Sequence, residues 1–403
     1  MPLQRYRWIA LVGVWMLYSA FGLIATSLAP LTSLIEPDLD ISHTAMGSIM
    51  GTWQLVYIFS AIPCGMLLDK LGARWALFLG GLLISASVLL RGIADDYWTL
   101  LLAVGLFGLG GPVISAGAPK VVTSIFTGST RGLAMGIYAT GPAIGGVVSL
   151  TLTHSVLLPA LEGSWRSVMY LWGGLTILIS FSWVLIASNP GFLQSQRSDD
   201  NAEAVPQMQI LTRLIHDPAV ILLLLMSVGV FLFNHGLNNW LPELLRNNGM
   251  TVINAGFWAA IPTMVGIIGS LTIPRLATPG RRFPILITLC LCSAAASILL
   301  HFQYEPVLFT GLFLQGIARS ALMTVLILTL VELPSIGDKY AGMASGLFFS
   351  AAEVGGMLGP LTLGVLYDMT HDFDAGLHLL TTTGLLLAIG AVTLRKLAQQ
   401  PQR

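Results

Sequence analysis

Residues 65–74 read GMLLDKLGAR, and they separate two long apolar runs, residues 46–68 and 75–92. A helix needs about 20 apolar residues to cross the roughly 30 Å of hydrocarbon in a bilayer, and both runs are close to that length. Three of the six residues between the runs, 69–74, are charged, and Gly72 permits a tight turn. This stretch predicts two membrane-spanning helices joined by a short polar turn.

The same pattern continues along the rest of the chain. Of its 403 residues, 55% are hydrophobic and 9% are charged, whereas a typical soluble domain has roughly 25% charged residues. The apolar stretches that qualify as spans are 8–34, 46–68, 75–92, 99–125, 132–157, 167–187, 218–241, 253–277, 284–302, 307–331, 341–366 and 376–394. The first is too long for the apolar core of a signal peptide, which has about 7–15 residues. Continuous apolar runs favour helices over strands in lipid, so we expect an all-α membrane protein with twelve transmembrane helices.

The longest hydrophilic segment divides these spans six and six. It covers residues 188–217 and has an Asn-Pro-Gly sequence near its start. We predict an N-terminal six-helix bundle over residues 1–187, a cytoplasmic linker over 188–217 and a C-terminal six-helix bundle over 218–403. Residues 206–216 fit a short interfacial helix and a flexible linker equally well.

Two glycine patterns recur between the halves. The first pattern is GLAMG at 132–136 with GG at 145–146, and it recurs in register as GMASG at 342–346 with GG at 355–356. The second pattern matches residues 105–110 with residues 311–316. Span 4 then corresponds to span 10, and span 5 to span 11. The chain is therefore predicted to consist of two pseudo-symmetric bundles, with a substrate site between them as in many secondary transporters.

The distribution of basic residues predicts the orientation of the spans. With the N-terminus inside, fourteen Lys and Arg residues fall in cytoplasmic segments and three, Arg91, Arg166 and Arg246, fall outside. Cytoplasmic loops of membrane proteins carry an excess of basic residues. Both termini are therefore expected in the cytoplasm.

Other function classes lack support in the sequence. Cys64, Cys290 and Cys292 all lie in apolar stretches, where buried thiols are expected rather than disulfides. Lys and Arg balance Asp and Glu at 19 each and form no basic stripe, so nucleic acid binding is not expected. The sequence contains no metal-ligand cluster, enzymatic motif or phosphate-binding motif. We expect no enzyme, no metal, no cofactor and no ATP-driven pump.

The turn at residues 65–74 closely resembles the G-x-L-x-D-x-x-G-x-R motif of the major facilitator superfamily, with its key residues at Gly65, Asp69, Gly72 and Arg74. Chain length, span count, central loop and internal repeat agree with this resemblance. It implies a secondary transporter in the cell (inner or plasma) membrane that works by alternating access, with spans 1, 4, 7 and 10 around the substrate cavity. We expect a monomer.

The position of Asp69 suggests a conformational latch. Asp69 is at a helix end, where it can pair with Arg131 in the next cytoplasmic loop or face the positive N-terminal end of the span that starts near Lys339. Breaking such contacts would favour an inward-open state. A turn that only fixes the topology is the alternative.

Residues 141–146, GPAIGG, resemble the superfamily's G-P-x-x-G-G motif, which is found especially in proton-coupled antiporters. Its residues here are Gly141, Pro142, Gly145 and Gly146. Glycine and proline allow close helix approach and a local bend, so helix packing alone is an alternative role. Span 11 carries a counterpart, GGMLGP, at residues 355–360.

Residues 235–242, HGLNNWLP, are similar to cyanate-permease-like members of the superfamily. These members are neighbours of nitrate/nitrite porters and of small organic-anion carriers. The glycine- and asparagine-rich span 5 motif of nitrate porters is not evident here.

Charges within predicted spans identify the first site candidates. Of the 19 basic and 19 acidic residues, Lys120, Arg319 and Glu353 fall within spans, whereas Arg91 and Arg275, at the ends of their apolar stretches, are assigned to loops. A charge at mid-bilayer costs roughly 2.5–3.5 kcal/mol on insertion scales, so such residues usually face a cavity or a partner. Both Arg319 and Glu353 are expected near the midplane.

Each of these residues has alternative roles. Arg319 can bind a substrate carboxylate or other oxyanion, form a structural pair with Glu353, or alternate between Glu353 and the substrate. Glu353 can carry the coupling proton. Lys120 either extends to water at the membrane surface or supplies a second cationic contact on an anion pathway.

Further pathway candidates are polar or aromatic residues in spans 1, 2, 5 and 7. They are Tyr18, Gln54, Tyr57, Tyr138, Asn234, His235, Asn238 and Asn239. His235 can bind substrate or relay protons, although a histidine hydrogen-bonded to Asn238 or Asn239 is the simpler interpretation.

Three hypotheses for the function follow. The first is a transporter of a small, carboxylate-like anion, coupled to protons. The second is a proton-coupled antiporter or efflux pump for amphipathic or cationic compounds. The third is a transporter-like sensor or assembly partner that moves nothing, which is disfavoured because no large soluble segment is expected within these 403 residues.

Overall fold

The computed structural model describes residues 3–189, 216–333 and 336–398, and all regular structure within them is helical. The helices are α1 (Leu3–Thr26), α2 (Thr32–Leu39), α3 (His43–Gly92), α4 (Tyr97–Ile125), α5 (Ser129–Ala139), α6 (Gly141–Leu152), α7 (Leu158–Ala160), α8 (Trp165–Ala187), α9 (Pro218–Asn247), α10 (Val252–Leu276), α11 (Arg282–Leu299), α12 (Glu305–Val331), α13 (Gly337–Thr370) and α14 (Asp374–Ala398). A turn of 3-10 helix at Ala29–Leu31 connects α1 to α2, and a π-helical segment at Thr153–Leu157 connects α6 to α7.

Eleven helical stretches among the described residues are long and apolar enough to cross a membrane. Ten of them match one predicted span each, and His43–Gly92 contains two, so the predicted all-α membrane fold is confirmed. The largest difference at a span end is in α9, which continues to Asn247 rather than ending at residue 241.

Gly72 separates the two spans within α3. The 50 residues of α3 would measure about 75 Å as one straight helix, more than twice the thickness of the hydrocarbon layer. At Gly72 the backbone has φ 71° and ψ 160°, a conformation that glycine adopts readily and other residues avoid. The predicted turn is therefore present between spans 2 and 3.

Local hydrogen bonds fix where several helices begin. The Ser42 side chain accepts from the backbone N–H of Ala45 at the start of α3, and Asp96 forms a capping box with Thr99 at the start of α4. The bond from the Thr99 backbone N–H, followed by that from its hydroxyl, holds the pKa of Asp96 below its ordinary value. These caps satisfy backbone donors at the first turn of each span.

The chain divides into two compact units. Unit 1 comprises Met1–Ala202 with Met250–Ala260, and unit 2 comprises Glu203–Gly249 with Ile261–Arg403. Most of the linker predicted at 188–217, including the possible helix at 206–216, lies outside the described residues. That part of the domain prediction stays a prediction.

In unit 1, the closest helix contact is made by the glycine motif of α6 against α1. A Cβ atom on Gly145 would lie 1.9 Å from the carbonyl oxygen of Ser19, and one on Gly22 would lie 2.1 Å from that of Pro142. No side chain fits at such distances, so glycine is required at both positions. The predicted packing role of residues 141–146 therefore agrees with the geometry.

Unit 2 contains the same contact between α9 and α13. A Cβ atom on Gly355 would lie 1.9 Å from the carbonyl oxygen of Val228, and one on Gly359 would lie 2.5 Å from that of Leu232. Gly355 is the counterpart of Gly145 in the first repeat of the sequence. The matched glycines thus perform the same packing function in both units.

The second repeat does not match contact for contact. A Cβ atom on Gly316 would lie 2.7 Å from the carbonyl oxygen of Pro262, in span 8. Gly110, its counterpart in the sequence, faces span 3 instead. Gly108 is the glycine of span 4 that faces span 2, and a Cβ atom on Gly108 would lie 2.4 Å from the carbonyl oxygen of Trp53. Since span 2 corresponds to span 8, Gly108 and not Gly110 is the structural equivalent of Gly316.

Large apolar side chains remain exposed on the outside of the helices. Phe59, Ile62 and Leu185 are 74%, 76% and 77% exposed. Many such residues on one molecule indicate a surface that lipid covers, because contiguous apolar area of this kind is rare on soluble monomers.

Candidate functional site

Arg319 is fixed by hydrogen bonds to two neighbouring helices of unit 2. It lies in α12, and its Nη1 donates to Oδ1 of Asn238 in α9 at 2.7 Å and to Oγ1 of Thr263 in α10 at 2.8 Å. Thr263 is buried, whereas Arg319 and Asn238 are partly exposed. The guanidinium is therefore held in one orientation while part of it stays accessible.

The opposite edge of this guanidinium has no hydrogen-bond partner in the part of the chain that the structure describes. Both N–H groups of Nη1 are used by Asn238 and Thr263, and Nε and Nη2 form no hydrogen bond with any residue that the structure describes. The Nε–Nη2 edge presents two parallel N–H groups, the geometry that binds a carboxylate through two hydrogen bonds. The arrangement can thus accept a planar oxyanion without breaking any existing contact of Arg319.

Other polar residues of α9 lie close to Asn238 in the sequence. Asn234 is one helical turn away, is 9% exposed, and its Oδ1 has no hydrogen-bond partner among the described residues. Asn239 donates to the backbone carbonyl of His235 at 2.8 Å. The His235 ring packs at 5.0 Å from the ring of Phe231 and is close enough to Arg319 for their charges to interact. Three of the predicted pathway residues therefore lie near Arg319: Asn234, His235 and Asn238.

Glu353 is buried in α13 and is separate from Arg319. Its side chain is 7% exposed, and within the described residues it forms no ion pair, while its Oε2 has no hydrogen-bond partner. The structure therefore contains no salt bridge between Arg319 and Glu353, which was one of the alternatives drawn from the sequence.

Helix geometry explains why the two residues do not meet. Gly355 contacts Val228, whereas Arg319 contacts Asn238, ten residues further along α9, which corresponds to about 15 Å. In addition, α12 and α13 are joined by only residues 332–336 and so run in opposite directions. Side chains tilt toward the N-terminus of their own helix, so Arg319 and Glu353 lean apart. Arg319 and Glu353 are predicted at similar depths in the membrane, but their side chains are not close to each other.

Lys120 pairs with Asp69, a residue of the predicted latch, in unit 1. Its Nζ lies 2.7 Å from Oδ1 of Asp69, with the two side chains 36% and 72% exposed. Exposed pairs of this kind typically contribute 0.2–1 kcal/mol, roughly up to fivefold in an equilibrium. The contact can bias a conformational change, but it is too weak to lock one state.

The other residues of the predicted latch do not join this ion pair. Arg131, the expected partner of Asp69, is exposed and makes no ion pair among the described residues. The Arg74 guanidinium lies 4.8 Å from the ring of Trp75, and a Cβ atom on Gly65 would meet nothing within 4 Å. The Lys339 side chain lies outside the described residues.

The predicted pathway residues of unit 1 belong to an aromatic cluster. Tyr18 stacks on Tyr138 with ring centroids 5.7 Å apart and lies 5.7 Å from Phe21. The hydroxyl of Tyr57 is 2.8 Å from Oγ of Ser115. Gln54 lies in the same helix as Tyr57 and is fully buried. Three helices thus bring the tyrosines near one another.

Arg91 is a buried charge that the sequence pattern misses. It is predicted in a loop, and this prediction is wrong because its side chain is 1% exposed within unit 1. Its Nη1 donates to the carbonyl of Ile24 at 3.0 Å and to Oγ of Ser27 at 3.1 Å, and its Nη2 donates to Oγ of Ser87 at 3.3 Å. A cation at the carbonyl end of α1 is favourable. Serine one turn before arginine in the same helix was the available signal.

Two further charges are buried beside a partner. Glu243 is 4% exposed and pairs with Arg246, because α9 continues beyond the predicted end of its span. Arg282 is 7% exposed and pairs with Glu332. Both pairs lie near helix ends. Among the described residues, no group of three His, Cys, Asp or Glu is placed to hold a metal ion.

Long apolar helices in two compact units, one of which carries an oriented intramembrane arginine, define a multi-pass α-helical membrane transporter. The family model of the Major Facilitator Superfamily matches residues 11–360. The chain therefore belongs to the major facilitator superfamily, whose members are transporters and not enzymes.

Individual proteins agree with this assignment. The chain is 23% identical to the "Probable galactarate/D-glucarate transporter GudP" of Escherichia coli (strain K12), over 86% of this chain and 83% of that protein. It is 27% identical to the "Quinolone resistance transporter" of Acinetobacter baumannii, over 90% of this chain and 88% of that protein. The crystal structure of a nucleoside transporter has the same fold, with a TM-score of 0.79 at 13% identity over 96% of this chain and 99% of that one.

Proposed function

We propose that this protein transports a small carboxylate anion by alternating access and that Arg319 binds the carboxylate. The observation that carries the proposal is the division of the guanidinium into two edges. Asn238 and Thr263 fix Nη1, and the Nε–Nη2 edge is left for a ligand. The relative named as a galactarate/D-glucarate transporter supports the same substrate class, because both of those compounds are carboxylates.

Glu353 is proposed as the residue that carries the coupling proton. Burying an ionised carboxylate without a partner is costly, and no cation pairs with Glu353 among the described residues. A group in this position can bind a proton in one conformation and release it in another. Coupling to protons would then require no direct contact between Glu353 and Arg319.

The charge distribution and the relatives support an orientation and a location for the transporter. The excess of basic residues in alternate loops supports cytoplasmic positions for both termini, and the bacterial relatives support the plasma membrane. Six-helix bundles over 1–187 and 218–403, a linker between them and a monomeric state are part of the proposal. So is the contribution of Tyr18, Gln54, Tyr57, Tyr138 and Lys120 to the pathway or the latch.

Uptake by purified protein in liposomes tests the proposal. The test solutes are labelled D-glucarate, lactate and a cationic dye, with an inward proton gradient. Arg319→Lys keeps the charge but loses the two-pronged edge, and losing one charge-assisted hydrogen bond costs roughly 1.5–3 kcal/mol. We expect the KM of at least one carboxylate to rise by about tenfold or more. Arg395→Lys, an exposed arginine of α14, is the control and should leave uptake unchanged.

A second variant changes the same guanidinium at its Nη1 side. Asn238→Asp places a carboxylate beside the guanidinium and competes with an anionic substrate, so carboxylate uptake should fall strongly. Asn254→Asp, at an exposed position, is the matched control. If neither Arg319→Lys nor Asn238→Asp alters the uptake of any anion, the proposed substrate site is wrong.

The second candidate function is proton-coupled efflux of amphipathic compounds. It is favoured by the buried Glu353, which forms no ion pair with a residue that the structure describes, and by the 27% identical quinolone resistance transporter. In this case, expression of the protein should protect cells from quinolones, and Arg319→Lys should have little effect on protection. The uptake measurements above distinguish the two functions.

A further inference from the structure

Two buried amides, each one helical turn from the Arg319–Asn238 contact, contain atoms that form no hydrogen bond within the described parts of the chain. Gln315 is 1% exposed, and neither its Oε1 nor its Nε2 has a hydrogen-bond partner among the described residues. The same holds for Oδ1 of Asn234, which is 9% exposed. Buried polar groups in proteins are nearly always hydrogen-bonded, so these atoms call for an explanation.

Their spacing places both amides beside the groups that hold the guanidinium. Gln315 precedes Arg319 by four residues in α12, and Asn234 precedes Asn238 by four residues in α9. Residues four apart lie on the same face of a helix, with Cβ atoms about 5–6 Å apart. Since α9 and α12 meet where Asn238 accepts from Arg319, each amide lies within one turn of that contact.

The tilt of the side chains brings the Arg319 guanidinium toward the turn that contains Gln315. In α12 the side chains tilt toward its N-terminus, so Arg319 leans toward the turn that contains Gln315. Arg319 and Gln315 thus lie on the same face of α12. Among the described residues of unit 2, three other buried side-chain atoms form no hydrogen bond: those of Arg282 and His301 lie at helix ends, and that of Glu353 lies at a different depth.

We infer that Gln315 and Asn234 bind hydroxyl groups of the substrate whose carboxylate Arg319 holds. This inference rests on the proposed carboxylate site. A hydroxyl both donates and accepts, and a primary amide offers one acceptor oxygen and two donor N–H groups to match it. An alkyl chain would leave the same amides buried and unpaired. The substrate class is therefore a hydroxylated carboxylate, and plain alkyl carboxylates are discriminated against.

The test compares two carboxylates of equal chain length, D-gluconate and hexanoate. Binding of each to the purified full-length protein is measured by isothermal titration or by competition against a labelled carboxylate. The protein should bind D-gluconate at least tenfold more tightly than hexanoate. Gln315→Met and Asn234→Leu, which nearly conserve side-chain size, should each reduce this ratio by about tenfold and leave hexanoate binding within twofold.

Two controls separate this inference from the proposed function. Asn248→Leu removes an amide at the end of α9 that bonds to the carbonyl of Leu300, away from the arginine, and should leave the ratio unchanged. Arg319→Lys should weaken binding of both carboxylates and leave their ratio nearly unchanged.

If both carboxylates bind in an Arg319-dependent manner but Gln315→Met and Asn234→Leu leave the ratio unaltered, the hydroxyl-binding role is wrong and the carboxylate site stands. If neither compound binds, or if Arg319→Lys affects neither, the proposed function itself fails. Should Gln315→Met fail to fold, Gln315→Glu provides the second variant, because a carboxylate there would repel D-gluconate and hexanoate alike and lower both affinities.

Discussion

At the scale of single residues, the two edges of the Arg319 guanidinium differ. Nη1 is hydrogen-bonded to Asn238 and Thr263, and the Nε–Nη2 edge is the one proposed to bind the ligand. The bonds from Nη1 to Asn238 and Thr263 remove much of the rotamer freedom of the long side chain before any ligand arrives. A pre-oriented fork loses less entropy on binding than a flexible one. The same two bonds leave the net charge of the site positive, because Asn238 and Thr263 are neutral. This positive charge supports the proposed anionic ligand.

Glu353→Gln tests the proton role of the buried carboxylate. Glutamine has a similar shape but binds and releases no proton, so uptake driven by an imposed pH gradient should fall to the level seen without a gradient. Exchange of labelled for unlabelled substrate at equal pH should continue, because the Arg319 site is about 15 Å away along α9.

The matched control is Glu305→Gln, at an exposed position at the start of α12. It should leave both measurements unchanged. Full gradient-driven uptake by Glu353→Gln would assign the proton to another residue.

In the sequence, single residues become site candidates where their type is rare. Arg319 and Glu353 are prominent because charges within apolar runs are few, but their partners belong to other helices and are set by tertiary packing. Periodicity therefore gives the depth of a residue and says little about the direction of its side chain. Arg91 shows the opposite failure, because a charge near a span end was assigned to water when serines and a helix end were available to hold it.

At the scale of helices, paired glycines decide which backbones come closest. Gly145 on α6 and Gly355 on α13 would each place a Cβ atom 1.9 Å from a carbonyl oxygen of the neighbouring helix. In lipid there is little hydrophobic driving force between helices, so close packing of small residues contributes much of the association. The contact has the same form in both units, although each unit has its own surrounding side chains.

Gly145→Ala and Gly355→Ala should each destabilise the protein. Overpacking a tight contact typically costs about 1–3 kcal/mol, and here the helices must move apart because the obstacle is backbone. We expect a clear decrease in the apparent Tm of the purified protein, measured by intrinsic fluorescence in detergent.

Gly132→Ala and Gly346→Ala are controls from the same repeat. A Cβ atom at either position would meet nothing within 4 Å, and alanine is the better helix former by about 1 kcal/mol. Their Tm should stay the same or rise slightly. Equal losses of stability in all four variants would show that the glycines act through something other than helix contact.

The repeats illustrate what the sequence conveys about helix packing. The first repeat, which pairs Gly145 with Gly355, identifies equivalent glycines correctly because a backbone contact tolerates no substitution there. The second repeat matches the same letters but misses the equivalence of Gly108 with Gly316, since neighbouring glycines in one helix can face different partners. Contact geometry, and not letter identity, fixes the register.

At the scale of the molecule, composition and charge distribution determine the environment of the fold. Few charges, twelve apolar spans and exposed residues such as Phe59 and Leu185 require lipid around the helices. These properties are summed over many residues, so the sequence predicts them reliably. The course of the segment at 190–215 and the use of the latch residues are not determined by such sums.

Cysteine labelling tests the orientation of the whole chain. In a variant with Cys64, Cys290 and Cys292 replaced by serine, Lys70→Cys should react with a membrane-impermeant maleimide only after the cells are permeabilised. Glu162→Cys should react in intact cells, because it precedes α8 on the opposite side. Leu178→Cys, which is 67% exposed in the middle of α8, should stay unlabelled in both cases because lipid covers it. Labelling of Lys70→Cys in intact cells would show that the chain has the opposite orientation.

The central claim is that the Nε–Nη2 edge of Arg319 receives the carboxylate of the substrate. A structure of the protein with bound D-gluconate tests it most directly. We predict that both carboxylate oxygens lie about 2.7–2.9 Å from Nε and Nη2, as in charge-assisted pairs, while the bonds from Nη1 to Asn238 and Thr263 persist. A ligand bound with its carboxylate away from Arg319, and with that edge still open, would contradict the claim.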